Sequence, residues 1–112
     1  MAGTILISDE KGLAVSTKDF DYFTKRIEVP LANLDQVLFD EVYAPYNEGG
    51  MTFISAEELG KKSFGIFSQA VKKAYFDSTK EECFVKYQEL WDELIKIVQE
   101  DERCDLNMKS SD

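Results

Sequence analysis

The sequence predicts an α+β domain: a short N-terminal β-hairpin or small sheet with a helix, followed by a long C-terminal antiparallel helical hairpin. Three observations carry this. Residues 79–103 place Phe84, Tyr87, Trp91, Leu94 and Val98 in one narrow arc at the helical period, with Glu82, Glu89, Glu93 and Glu100 opposite. The segment before it opens on Ser55 and Glu58, the spacing of a capping box. Near the start, two short β-prone runs flank a turn-rich stretch.

Taken in order, Thr4-Ile-Leu-Ile-Ser8 reads as a strand, residues 9–12 as a turn, and Leu13 to Ser16 as the returning strand. Gly12 is the residue expected to supply a positive φ there. Residues 16–27 carry two patterns. Phe20, Phe23 and Ile27 follow helical spacing behind a Ser16/Asp19 cap, whereas residues 22–27 also alternate as a strand would. Pro30 biases Val29 away from the helical region, which favours extended structure over 22–29.

A helix is expected from Leu31, or from Asn33 as its cap, with Leu34, Val37, Leu38 and Val42 on one face. Pro45 and the Gly49-Gly50 pair should end it, and residues 51–54 form a further strand. The helix from Ser55 to about Phe76 gathers Ala56, Gly60, Ser63, Phe67, Ala70, Val71 and Ala74 on its inner face. Its natural neighbour is the last helix, and Gly60 is a place where it can break. In that last helix, Thr79 caps the start with Glu82, and Arg103 suits the carboxyl end. Cys83, Leu90, Ile95 and Ile97 widen its apolar stripe. Residues 1–106 are expected to form one globular domain, and 107–112 a disordered tail.

Composition narrows the function. With 44% hydrophobic and 12% aromatic residues, the chain can pack a core without disulfides or metal. A net charge of −9 disfavours nucleic acid and anionic membrane as partners and favours a basic protein. The acidity lies in the first half and the last helix, while the intervening helix carries Lys61, Lys62, Lys72 and Lys73. Without histidine, no serine–histidine or cysteine–histidine nucleophile pair can form. Two cysteines are too few for a disulfide framework or a zinc site, so no cofactor or metal is expected. With no signal-like or membrane-spanning run in the sequence, the cytoplasm is the expected location. The Gly49-Gly50 pair lacks the residues of a phosphate loop and reads as turn punctuation.

Much of the acidic back of the last helix is solvated surface, since Glu82 precedes Lys86 and Asp92 precedes Lys96 by one turn. Residues 39–48 are more informative, mixing Phe39, Tyr43 and Tyr46 with Asp40, Glu41 and Glu48. Tyrosines supply contact area at low entropic cost and acids steer a basic surface. Asp35, Asp40, Glu41, Tyr43, Tyr46 and Glu48 are therefore the candidate partner-binding residues. The expected role is a small acidic, non-catalytic inhibitor of the immunity or antitoxin type, acting on a basic protein such as a nuclease toxin. The alternative is an adaptor or structural subunit that oligomerises through its helical hairpin.

Overall fold

The computed structural model describes residues 2–8 and 11–101. Its elements are β1 (Ala2–Leu6), β2 (Gly12–Ser16), α1 (Thr17–Leu34), α2 (Gln36–Asn47), β3 (Phe53–Ser55), α3 (Lys61–Ser78) and α4 (Phe84–Glu100). The α+β class stands, with helix dominant.

β1 is the middle strand of the order β2-β1-β3, antiparallel to β2 and parallel to β3. Ile5 pairs with Leu13 on one side and Ile54 on the other, and all three are buried. The hairpin turn closes through the Ile7 and Ser8 amides, which donate to the Lys11 carbonyl at 3.0 and 2.9 Å. Gly12 does not take the positive φ expected of it; among the described residues only Gly50 does, at 65°. Gly12 instead starts β2, where a Cβ would stand 2.9 Å from the Ile5 carbonyl oxygen.

The expectation of extended structure over 22–29 is overturned. α1 runs through this segment to Leu34, and Ser16 caps it by accepting from the Asp19 amide at 3.2 Å. Phe20, Phe23, Ile27 and Leu31 all turn inward and are essentially unexposed. Burying four such side chains outweighs the single helical hydrogen bond that Pro30 removes near the end of α1. Leu31 and Asn33 belong to α1, so Asp35 is the cap of α2, accepting from the Leu38 amide at 3.0 Å. Leu34 and Val37 are correspondingly exposed, and Leu38, Val42 and Tyr43 form the buried face. Pro45 lies inside α2 rather than ending it.

α3 begins at Lys61, not at Ser55, so the break falls at Gly60. Ser55 Oγ accepts from the Glu57 amide in a local turn, and the expected box with Glu58 does not form. Phe64, Phe67, Ala70, Val71 and Ala74 are buried, and their main neighbour is α1. α3 also touches α4 across residues 79–83, which is compatible with the expected helical hairpin although the larger contact is elsewhere. Thr79 does not cap α4: its hydroxyl donates to the Phe76 carbonyl at 2.6 Å and closes α3. Cys83 takes the N-cap position of α4 and is exposed, outside the buried stripe. Arg103 and the expected tail at 107–112 lie outside the described residues.

α4 buries Tyr87, Trp91, Leu94 and Val98, the centre of the arc seen in the sequence. The indole N–H of Trp91 donates to the Tyr22 hydroxyl at 3.0 Å. Tyr22 stacks on Tyr87 at 3.7 Å and 8°, and the Arg26 guanidinium lies 4.0 Å from the Tyr22 ring centroid. Arg26 also meets Glu81 at 3.0 Å, fastening α1 to the turn before α4. Among the described residues, no helix is long and apolar enough to cross a membrane.

Candidate partner-binding surface

α2 separates its residues by environment. Leu38, Val42 and Tyr43 face the core, while Asp40, Glu41 and the C-cap residue Glu48 are exposed. Asp40 accepts from the Gln36 side-chain amide at 3.1 Å, a bond within the helix surface that leaves its charge facing solvent. Asp35 is half-buried and occupied in capping.

The two tyrosines part company. Tyr43 is wholly buried, and its hydroxyl donates to the Thr24 carbonyl at 2.6 Å. Burial, followed by the nearby Glu28 charge, holds the phenol far above its ordinary pKa. Tyr43 is therefore a core residue and drops out of the candidate surface, because the helix turn that exposes Asp40 and Glu41 points position 43 inward. Tyr46 is half-buried, edge-on to Phe20 at 5.4 Å, with its hydroxyl 3.3 Å from Asp21 Oδ1. Desolvation first, and then Asp21, raise its pKa.

The structure adds residues that the sequence did not single out. A groove of about 570 Å³ opens between α2 and the segment after β3. Leu6, Ala44, Pro45, Phe53 and Leu59 provide its apolar lining, and Glu41, Glu48, Glu57 and Glu58 its acidic part. Among the described residues, Glu41, Glu48 and Glu58 make no ion pair. In a continuous helix from Ser55, Glu57 and Glu58 would each sit one turn before a lysine and look compensated. The helix starts later, so that register does not exist. The signal was the Gly60 break, which detaches both glutamates from the lysines that follow.

Among the described residues, no group of three or more metal-ligating side chains is close enough to hold an ion. With no histidine in the chain, the groove's acids have no nucleophile–base partner of the usual kind. In a small α+β domain, exposed acids around an apolar-lined groove are of the kind that protein-binding domains present as a class.

Comparison with known proteins narrows the class. No protein-family model matches the chain. It is 42% identical over 103 residues to immunity protein CdiI from Burkholderia pseudomallei, covering 92% of this chain and 94% of that protein. It also matches a chain in the solved structure of the CdiA-CT toxin from Burkholderia pseudomallei E479 in complex with cognate CdiI immunity protein. That match has a TM-score of 0.87 at 41% identity, covering 91% of this chain and 98% of the other. The chain belongs to the CdiI immunity protein family.

Proposed function

We propose that this immunity protein neutralises a CdiA-CT-type toxin by laying the exposed acids of α2 against a basic surface of it. Family membership supplies the task, toxin neutralisation, and the exposed charge of Asp40, Glu41 and Glu48 supplies the means. A nuclease is the toxin chemistry that fits best, because a surface that grips a phosphate backbone must be basic. An acidic protein seated there competes directly with the nucleic acid, and opposite charges speed the encounter. The protein needs no catalysis of its own for this. The cytoplasm, where nucleic-acid substrates lie and a free thiol such as Cys83 stays reduced, is the compartment that suits it. The observation that carries the reading is the 42% identity to an immunity protein over nearly the whole chain.

The alternative, an adaptor or structural subunit that oligomerises through its helical hairpin, has less support: Tyr87, Trp91, Leu94 and Val98 are buried inside the single chain, and the flanking Leu90, Ile95 and Ile97 pack partly against the same core.

The test is stopped-flow association with the cognate toxin domain at several salt concentrations, alongside growth rescue of toxin-expressing cells. The double variant Asp40→Lys/Glu41→Lys should associate at least about tenfold more slowly at low salt, with a shallower salt dependence. Unchanged association and full rescue by that variant would remove the α2 face from the interface. A toxin that leaves RNA and DNA intact would remove the nuclease assignment.

A further inference from the structure

We infer that the groove between α2 and β3 receives a long basic side chain, arginine in preference to lysine, projected by a segment of the toxin. This rests on the immunity reading and adds the chemistry of one contact. The apolar lining of Ala44, Pro45 and Phe53 suits the methylene stem of such a side chain, and Glu41, Glu48 and Glu58 suit its charged head. Ion pairing within the described residues leaves these three carboxylates available.

A second feature favours the guanidinium. β3 is an edge strand, and Thr4 N–H donates to Thr52 O at 3.1 Å while Ala56 N–H donates to Leu6 O at 2.9 Å. In parallel pairing, alternate residues turn both backbone groups to the same neighbour. Residues 52, 54 and 56 thus face β1, and Phe53 and Ser55 turn theirs to the open edge. Among the described residues, no backbone–backbone bond reaches them there. Both residues line the groove, and on this proposal their edge-facing carbonyls serve as acceptors beside the carboxylates. A planar guanidinium, with five N–H donors, can serve both at once, whereas an ammonium has three.

The test uses the full chain in two arms. In the first, ¹⁵N-labelled protein is titrated with N-acetyl-arginine amide and with its uncharged isostere N-acetyl-citrulline amide. Amide shifts centred on Ala44, Phe53, Ser55 and Leu59 with the arginine probe alone, lost in Ala44→Phe, support the inference. Shifts equal for both probes, or scattered over all surface carboxylates, overturn it. In the second arm, affinity for the cognate toxin domain should fall about tenfold or more in Ala44→Phe, which fills the groove. The same fall is expected in Glu48→Gln/Glu58→Gln, which keeps the shape, and far-UV circular dichroism checks that each variant is folded. Wild-type binding with both variants within about twofold of it overturns the groove contact and leaves the immunity reading intact. Failure of the wild type itself to bind the toxin overturns both.

Discussion

Replacing Tyr22 with phenylalanine removes one oxygen and isolates one hydrogen bond. The Trp91 indole N–H donates to that oxygen at 3.0 Å, and Trp91 is 0% exposed, so water cannot take over. A buried donor left without an acceptor costs about 1–3 kcal/mol. The ring is retained, so the stack on Tyr87 and the contact with Arg26 persist, and the loss reports the orphaned N–H. For a domain of this size each kcal/mol lowers Tm by roughly 4 °C or somewhat more, which puts the expected drop near 4–12 °C. Trp91→Phe destabilises by a different route, leaving a void where the larger ring was. Together the two changes leave no orphan donor, so the double variant should be more stable than the sum of the singles by about 1 kcal/mol or more. Urea unfolding followed by far-UV circular dichroism measures all three on one scale. If Tyr22→Phe lies within about 0.5 kcal/mol of the parent and the pair is additive, this bond does not help dock α4 on α1.

Packing around Gly3 and Tyr43 sets two further outcomes. Gly3→Ala would set a Cβ 2.5 Å from Phe20 Cβ and 2.7 Å from its Cδ1, against a side chain buried beneath the sheet, and should cost about 1–3 kcal/mol in urea unfolding. Tyr43 holds its proton in the fold to a pH far above the ordinary phenol value of 10.0, so its contribution is fully present below about pH 10 and is lost as pH rises beyond it, when the unfolded chain ionises first. Tyr43→Phe should therefore be about 1 kcal/mol less stable at neutral pH, from the lost bond to Thr24, and should show a flatter decline above pH 10; an equally steep decline in urea midpoint would place the alkaline sensitivity elsewhere.

How much was legible depends on how each segment is held. α4 was plain because its stripe is wide and regular, and its centre at Tyr87, Trp91, Leu94 and Val98 is what the fold buries. The β1–β2 hairpin was legible for the same local reason. α1 was not, because the bias that Pro30 places on Val29 is local, whereas the burial of Ile27 and Leu31 that overrides it comes from the sheet and α3. The Asp35 cap was hidden behind the same error, since reading Leu31 as a start leaves no room for a helix ending at Leu34. On the candidate surface, Asp40, Glu41 and Glu48 are exposed, while Tyr43 is core: an aromatic one helical turn from Phe39 can face either way until the neighbouring helix is known. Glu57 and Glu58 could not be joined to α2 from sequence at all. Their approach depends on β3 pairing in parallel with β1, and parallel pairing has no short-range signature.

That parallel pairing also sets an order in time. β1 is the middle strand of the sheet yet the first element of the chain, and it finds β2 at once across a tight turn. Its other edge stays open until β3 arrives, after the whole of α1 and α2 has intervened. Contacts so separated in sequence close slowly, and an unpaired strand edge is sticky while it waits. Because the groove is lined from both α2 and β3, it comes into being only when this last pairing is made. A freshly made chain thus acquires its hairpin early and this groove late, and the interval between the two is a property of strand order rather than of any single side chain.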